Sequence, residues 1–455
     1  MKMKFTAPLD KQFQPMELVL REYEADVAAN AHQKLYLALE RSDGCIERYD
    51  MDIFADGVDD ARSCGIVERF VKTILWTVGG WKITVCGSKV VYDFLRTAYR
   101  KDGLRQFDAG FMSRVYEHPF EVVYAQTPEA LPAVRKNPSA VGRHLDGCRI
   151  GFDAGGSDRK VSAVIDGEPV YSEEVVWNPK LSEDPQYQFD GIVDSFKTAA
   201  SKMPRVDAIG VSSAGVFIGN APMVSSLFIK VPRSRREEVK TIYDRAAKEI
   251  GDIPIVVAND GDVTALAGAM SLETGGVLGI AMGTSEAGGY VAPDGNVLGW
   301  FNELAFAPVD LNENAAQDEW SGDIGVGCKY FSQDAVIKLA PAAGIELDES
   351  FTPAQKLSAV QALLEQGHAG AEKIFLSIGS YLAHTLALYG RYYEIRYLLV
   401  LGRVASGKGG ELIVSECNRV LKDEYPDFKG IVMLPDEKTR RVGQSVAAPS
   451  LPAIR

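Results

Sequence analysis

Two stretches decide the fold: FDAGGSDRKVSAVIDGEPV at residues 152–170 and AMGTSEAGGYVAPDGNVLG at residues 281–299. In each stretch an apolar strand ends in a loop of small residues, and an Asp-Gly pair further on predicts a hairpin turn. The two copies begin about 130 residues apart. A duplicated α/β unit is the simplest explanation, and two facing units would leave a cleft with one loop on each side.

Around these copies strands alternate with helices, which predicts an α/β fold. Strands are expected at VDAIGVSS, IPIVVAND and YLLVLG, and helices at residues 189–203, 233–251, 263–272 and 355–393 and from about Gly409. A proline-containing stretch, residues 127–146, predicts a connection to the preceding region. We therefore expect an N-terminal α+β domain of unknown role (1–145), a first lobe (146–268) and a second lobe (269–455), whose C-terminal helix could return to the first.

The N-terminal region has its own pattern. KLYLALERSDGCIERYDMDIF predicts a hairpin, followed by a helix near residues 61–75, the strand WKITVCG and the helix KVVYDFLRTAYRK. The whole chain has 455 residues and a net charge of −13, which disfavours nucleic acid and membrane surfaces as partners. Its six scattered cysteines and the absence of a long apolar run predict a cytoplasmic protein with reduced thiols.

The first loop suits a phosphate group. Glycines at 155 and 156 let backbone N–H groups approach phosphate oxygens, and Ser157 and Lys160 follow closely. Asp153, at the strand end, is placed to hold a hydrated Mg²⁺, which takes one or two carboxylates and keeps several waters. Taken alone, the motif is equally compatible with an ordinary tight turn.

The second loop repeats this chemistry with Gly283, Thr284 and Ser285. Further on, GRVASGKG at residues 402–409 matches the spacing of a phosphate-binding P-loop. Gly409 stands where that motif needs a Ser or Thr for Mg²⁺, so a P-loop is disfavoured here. ATP and Mg²⁺ are therefore the expected ligands.

Between the two loops, VVAND ends a predicted strand with Asn259 and Asp260. Open α/β sheets bind their ligands at the carboxyl ends of strands. Asp260 there could accept a hydroxyl proton during phosphoryl transfer, with Asn259 orienting the substrate. Asp260 could equally be the N-cap of the following helix, and the sequence does not separate the two roles.

The order of DAGGS, GVSSAGVF, VVANDGDVTALAG, GIAMGTSEAGG and GWFNELAF resembles the repressor–open-reading-frame–kinase (ROK) family of sugar kinases and regulators. The resemblance covers about 300 residues from Arg149. It implies duplicated actin-like, ribonuclease H-like ATPase lobes and a homodimer. It also implies Asp260 as the catalytic base, a sugar contact at Glu303, and Ser213 and Gly215 in the turn beside the sugar. The segment with Gly402 and Gly407 would then be the turn beneath the adenosine of ATP.

Two departures from the family pattern bear on function. Phe306 stands where relatives commonly have a His that contacts the sugar and ligates zinc, and Cys328 alone remains of the usual three-cysteine zinc loop. A structural zinc site needs four N or S ligands, so no zinc is expected. The sequence therefore predicts an ATP-dependent sugar or polyol kinase, with a noncatalytic sugar or nucleotide sensor of the same fold as the alternative.

Overall fold

Three β-sheets of four or five strands organise the protein, and the computed structural model describes residues 4–136, 141–435 and 446–454. Parts of the predicted connection (137–140) and of the predicted second lobe (436–445 and 455) lie outside the described residues.

The N-terminal unit, residues 4–136, is built around a sheet in the order β2-β1-β3-β4. Its elements are α1 (Met16–Ala28), β1 (His32–Glu40), β2 (Ile46–Phe54), α2 (Asp60–Thr77), β3 (Lys82–Cys86), α3 (Lys89–Ala98), α4 (Gln106–Tyr116) and β4 (Glu121–Tyr124). Strands β1 and β2 form the predicted antiparallel hairpin, while β3 and β4 are parallel.

The first lobe carries a five-stranded sheet in the order β11-β8-β5-β6-β7, whose strands lie between Cys148 and Asn259. Its elements are β5 (Cys148–Ala154), β6 (Asp158–Ile165), β7 (Glu168–Val176), α5 (Pro185–Ala200), β8 (Ala208–Ser213), β9 (Val216–Ile218), β10 (Ala221–Val224), α6 (Arg236–Lys240), α7 (Ile242–Lys248), β11 (Ile255–Asn259) and α8 (Asp260–Ser271). Asp166 and Gly167 have φ values of 47° and 85°, the conformation that a two-residue hairpin turn needs.

The second lobe, from residue 269, repeats the strand arrangement in a sheet ordered β13-β12-β14-β15. Its elements are β12 (Val277–Met282), β13 (Glu286–Val291), α9 (Gln333–Leu339), α10 (Pro353–Glu365), α11 (Ala369–Tyr389), β14 (Tyr397–Leu401), α12 (Gly407–Glu424) and β15 (Ile431–Met433). Strand β12 is antiparallel to β13 and parallel to β14, just as β5 is antiparallel to β6 and parallel to β8. The duplicated fold expected from the sequence is therefore confirmed.

Two local predictions differ from the structure. The expected second hairpin closes with a single bridge between Val291 and Val297, because the chain then leaves the sheet to reach the N-terminal unit, where Phe301 donates to the Val78 carbonyl. The expected charged helix at 233–251 divides into α6 and α7 at Thr241, whose hydroxyl bonds back to the Glu237 carbonyl. Such side-chain bonds compete with regular helix geometry.

The hydrophobic core is divided unevenly. The N-terminal unit has its own sheet, but its buried residues form one continuous cluster with those of the second lobe. Phe13, for example, packs against Tyr381 of α11 with ring centroids 4.6 Å apart. The first lobe has a separate cluster that includes Phe152, Phe196 and Tyr243. The N-terminal unit and the second lobe are therefore packed as one body.

The end of the described chain returns to the first lobe. The guanidinium of Arg149, which is fully buried, donates to the carbonyls of Pro449 and Pro452 at 3.3 and 2.7 Å. None of the helices within the described ranges combines the length and apolarity needed to cross a membrane.

Candidate active site at the junction of the two lobes

Three parallel strands of the first lobe end side by side. In the register of β5, β8 and β11, Asp153 lies opposite Ser212, and Ser213 lies opposite both Ala154 and Asn259. This edge therefore gathers Asp153, Asn259 and the start of α8. Parallel strands present ligand-binding side chains at this edge.

The structure separates the two roles that the sequence left open at Asp260. Asn259 is the N-cap of α8, because its side-chain oxygen accepts the Gly261 N–H at 2.7 Å. Its side-chain nitrogen donates to the Gly215 carbonyl at 2.7 Å. Asp260 also lies 3.0 Å from the Gly261 nitrogen, yet it is exposed to solvent. Asn259 thus holds the local backbone, and the Asp260 carboxylate remains reachable from outside.

Several carboxyl groups cluster around Asp260. Although the residue is exposed, burial of its carboxyl group among neighbouring protein atoms raises its pKa, and the negative charge of Asp153 raises it further. The pKa of Asp153 is itself raised by burial, against the effect of the Ser212 hydroxyl 2.9 Å away. Burial and the charges of Asp260 and Asp262 raise the pKa of Glu303 to about 7. Carboxylates tuned toward neutral pH are suited to general base catalysis.

Helix α8 brings Asp260 to the second lobe through a glycine contact. A Cβ on Gly261 would collide with the Gly288 carbonyl, and one on Gly289 would collide with the Gly261 carbonyl. Only glycine lets the start of the helix lie directly on β13. The Asp260 carboxylate consequently sits where the two lobes meet.

Glu303 is positioned by the N-terminal unit. The backbone N–H of Asn302, a residue with φ of 51°, donates to the Thr77 carbonyl at the end of α2, at 2.9 Å. The Asn302 side chain donates to Asp262 at 2.8 Å and accepts from Tyr393 at 2.9 Å. These contacts fix the turn that carries Glu303, and sequence reasoning did not identify Asn302.

In the first loop, the predicted residues lie between β5 and β6. Trp177 ties the loop down, since its ring nitrogen donates to the Gly155 carbonyl at 2.8 Å and its backbone N–H to the Ser157 carbonyl at 3.1 Å. The Ser157 hydroxyl is exposed and lies 3.1 Å from Asp158. Lys160 faces the carboxylates of Asp158 and Glu174 at 3.4 and 3.9 Å.

The second loop and the predicted adenosine turn meet at the ends of β12 and β14. The Thr284 hydroxyl accepts from the Arg403 guanidinium at 3.1 Å, and the Val404 N–H donates to the Met282 carbonyl at 3.0 Å. Gly402, with φ of 89°, lies so close to Met282 that a Cβ would collide with it. Gly283 and the exposed Ser285 complete the loop, and Gly407 is the first residue of α12.

Two residues near the site have buried polar side chains: Ser213, which the sequence predicted as a site residue, and Glu286, which follows the second loop. The hydroxyl of Ser213, which is 0% exposed, is bonded to Tyr243 at 2.9 Å and so faces the core of the first lobe. Glu286, the first residue of β13, is buried, and neither of its carboxyl oxygens has a hydrogen-bond partner within the described ranges. Burial and the nearby Glu303 raise its pKa to about 8, so it is mainly protonated at neutral pH.

The donor set fits Mg²⁺ bound to a nucleotide. The described residues contain no cluster of three or more His, Cys, Asp or Glu arranged to hold a metal ion. Mg²⁺ on a triphosphate needs only one or two protein carboxylates, which Asp153 supplies at the edge of the first loop. Cys328, at the position of the family's zinc loop, instead lies with its Sγ 3.6 Å from Asp318, and burial raises its thiol pKa.

Phe306 belongs to an aromatic cluster that joins the N-terminal unit to the segment that carries Glu303, which we call the acceptor side of the site. Its ring centroid lies 4.5 Å from that of Trp76 in α2, 5.6 Å from Phe107 in α4 and 5.5 Å from Trp320. This packing accounts for an apolar residue where relatives carry a His. The sequence showed that a Phe stands at position 306 but not that it packs against aromatic residues of α2 and α4.

Beside the aromatic cluster, a buried ionic cluster holds the segment that precedes Cys328. Asp323 pairs with Arg69, Lys72 and Arg105 of the N-terminal unit at 3.0, 3.0 and 2.9 Å. Lys72 also pairs with Asp108 at 2.7 Å. Charge pairs that are taken out of water must be mutually satisfied, and this cluster therefore ties the loop to α2 and α4.

Solved structures share this architecture. A ROK hexokinase from Thermus thermophilus is 18% identical, with a TM-score of 0.50, and the match covers 67% of this chain and 97% of the hexokinase. A ROK family transcriptional regulator, a homologue of the E. coli Mlc protein, is 16% identical, with a TM-score of 0.52 and coverage of 67% and 78%.

Neither a family model nor a curated protein matches the sequence. At these identities the structural matches establish the fold, which hexokinase and regulator share. The chain therefore has the actin-like ATPase fold of these ROK proteins.

Proposed function

We propose that the protein is an ATP-dependent kinase that transfers the γ-phosphoryl group to a hydroxyl of a sugar or polyol. The observation that carries this proposal is Asp260: Asn259 performs the capping, and the Asp260 carboxylate is exposed at the junction of the lobes with a raised pKa. A catalytic base needs both accessibility and a pKa displaced toward the working pH.

In the proposed reaction, Asp260 accepts the proton of the acceptor hydroxyl while the hydroxyl oxygen bonds to the γ-phosphorus. The bond between the γ-phosphorus and the oxygen that bridges to the β-phosphate breaks, and ADP leaves. Glu303 orients the acceptor through hydrogen bonds. Asp153 holds Mg²⁺, which when bound neutralises charge on the phosphates. The small-residue loops at Gly155–Ser157 and Gly283–Ser285 offer backbone N–H and hydroxyl groups to phosphate oxygens. We also propose the division of the chain into segments 1–145, 146–268 and 269–455.

Asn259 acts on this reaction through the backbone. With its amide engaged by Gly261 and Gly215, it fixes the turn next to the acceptor and the angle at which α8 presents Asp260. Closure of the first lobe against the second would exclude water and protect the transferred phosphoryl group from hydrolysis.

An acceptor panel tests the proposal. Purified protein with ATP and Mg²⁺ is offered neutral hexoses, N-acetylated amino sugars, free amino sugars, sugar acids and linear polyols, and ADP release is compared with the rate without acceptor. We expect at least one class to raise ADP release by two orders of magnitude or more, in line with general base catalysis of roughly 10²–10⁴-fold. Protein that binds ATP but phosphorylates no acceptor would contradict the kinase proposal.

One observation favours a second candidate, a sensor that binds sugar or nucleotide without turnover. Phe306 is buried in the aromatic cluster, so this position offers no polar contact to a sugar. Calorimetric binding of the same acceptors, with and without a nonhydrolysable ATP analogue, separates the candidates. A sensor would bind a sugar and leave ATP unconsumed.

A further inference from the structure

We propose that two cationic side chains outside the sequence-predicted site, Lys180 and Arg403, clamp the nucleotide triphosphate, one from each lobe. The identity of the ligand rests on the proposed function. The positions of the two side chains rest on their contacts with the two small-residue loops.

Lys180 lies directly over the first loop. A Cβ placed on Gly156 would be 2.8 Å from both Cε and Nζ of Lys180, so the ammonium group occupies the space that the missing side chain leaves. A larger residue at 156 would displace the exposed end of the lysine side chain. The ammonium group therefore stands beside the backbone that is expected to bind phosphate.

The position of Lys180 is built into the fold. Trp177, three residues earlier, is buried, and its two hydrogen bonds to Gly155 and Ser157 attach the end of β7 to the first loop. Pro179 begins the short turn 179–181, and its carbonyl accepts from the buried Gln188 side chain at 2.9 Å. The backbone on either side of Lys180 is thus held on the loop.

Lys180 differs from the neighbouring Lys160 in its charge partners. Lys160 faces two carboxylates, those of Asp158 and Glu174. Lys180 has no carboxylate within ion-pair distance anywhere in the described ranges. A lysine without a countercharge, held against a glycine-rich loop, is available to an anion.

Arg403 has the matching position on the second lobe. Its guanidinium donates to the Thr284 hydroxyl at 3.1 Å, and its backbone carbonyl is held by the Gln361 side chain at 2.8 Å. It is exposed, and among the residues described it too pairs with no carboxylate. One bond to Thr284 leaves the other guanidinium N–H groups free for phosphate oxygens.

The electrostatics of the site call for such groups. Asp153, Asp260 and Glu303 surround the proposed phosphate position with negative charge, and the chain as a whole carries −13. Mg²⁺ neutralises only part of a triphosphate. One cation from each lobe would offset the repulsion and favour closure of the lobes around ATP over AMP, which lacks the outer phosphates.

Nucleotide binding measured by calorimetry tests the clamp. Lys180→Met, Arg403→Met and the double variant are titrated with MgATP, MgADP and AMP in the absence of acceptor. Each single substitution should weaken MgATP binding by about tenfold, the value expected for loss of one charge-assisted hydrogen bond, and leave AMP binding nearly unchanged. Lys180→Arg should recover most of the affinity.

Matched controls come from ion-paired side chains on neighbouring elements of the same lobes. Lys197→Met removes a lysine of α5 that pairs with Glu249 at 3.6 Å, and Arg396→Met removes an arginine before β14 that pairs with Glu394 at 2.8 Å. Both should bind MgATP within about twofold of wild type, which is well below the tenfold step that equals 1.4 kcal/mol.

The outcomes separate the clamp from the kinase. MgATP affinity unchanged in both Lys180→Met and Arg403→Met overturns the clamp, even if an acceptor is phosphorylated. The expected losses in a protein that phosphorylates nothing support the clamp and overturn the kinase. A wild-type protein that does not bind MgATP overturns both.

Discussion

The two lobes repeat one strand arrangement but differ in how their hydrophobic cores are packed. The first lobe packs its sheet on a core of its own, whereas the second shares its core with the N-terminal unit. The first lobe contacts that unit through Val216, which belongs to the shared cluster, and through partly exposed polar pairs such as Lys240 with Glu117 at 2.6 Å and Arg236 with the Arg114 carbonyl at 3.0 Å. Exposed pairs of this kind contribute little.

This difference indicates which part moves. We expect the sheet of the first lobe, with the first loop, to swing against a fixed body formed by the second lobe and the N-terminal unit. Helix α8, with Asp260, stays on the fixed body through its contacts with β13 and Asn302. Glu303 belongs to the fixed body, because Asn302 is bonded to the end of α2 and to Tyr393. The N-terminal unit then serves as the support of the acceptor side.

The largest expected effect comes from breaking the buried ionic cluster. Lys72, which is 0% exposed, pairs with Asp108 and Asp323, and Lys72→Met leaves both carboxylates with less compensation. Removing one partner of a buried pair costs about 3–5 kcal/mol. Urea unfolding should show this loss, with the N-terminal unit and second lobe unfolding together.

The control for that variant is Lys82→Met, which removes a partly exposed lysine paired with Glu40 at 2.9 Å. It should cost less than about 1 kcal/mol. Equal stability losses for the two variants, or an N-terminal unit that unfolds before the second lobe, would contradict the shared core.

A smaller loss of stability is expected for Phe306→His, which restores the residue type common in the family. Because the ring is buried against Trp76, an imidazole there would leave polar nitrogens without hydrogen bonds, at a cost of about 1–3 kcal/mol. Thermal melting measures the loss, and Phe351→His, at a 39% exposed position, is the control. Wild-type stability for Phe306→His would mean that the aromatic cluster does not hold the acceptor side.

Asn259→Ala tests the attachment of α8 to the mobile lobe. Losing the cap should cost about 0.5–2 kcal/mol, and losing the bond to Gly215 should misplace Asp260 and lower turnover. Thr352→Ala removes the N-cap of α10 and is the matched control. It should cost similar stability in a melt without lowering turnover. Equal turnover in the two variants would show that Asn259 only caps the helix.

The pH dependence of turnover tests whether Asp260 and Glu303 take part in the reaction. Asp260 and Glu303 act in their ionised forms, and both have raised pKa values, that of Glu303 about 7. The value of kcat/KM should therefore rise with pH through about pH 7 and reach a plateau about one pH unit higher. In Glu303→Gln the overall rate should be lower and the limb near pH 7 should disappear. An unchanged pH profile would remove Glu303 from the reaction.

Much of the fold followed from local signals. The apolar runs, the Asp-Gly turns and the repeat located the strands, and their common edge brought Asp153 and Asp260 together. The capping role of Asn259 depends on its amide group reaching both the Gly261 N–H and the Gly215 carbonyl, and composition does not determine that. Lys180, Asn302 and Arg403 act through contacts between distant segments, so no local pattern marked them. The sequence located two of the N-terminal helices but did not show what they pack against.

The most direct test of the account is phosphoryl transfer by Asp260→Asn, measured with an acceptor that the wild-type protein uses and paired with MgATP titration. We expect turnover to fall by roughly 10²–10⁴-fold, because the amide does not accept the hydroxyl proton, while MgATP affinity stays within about twofold. Near-normal transfer by this variant would contradict the assignment of Asp260 as the base.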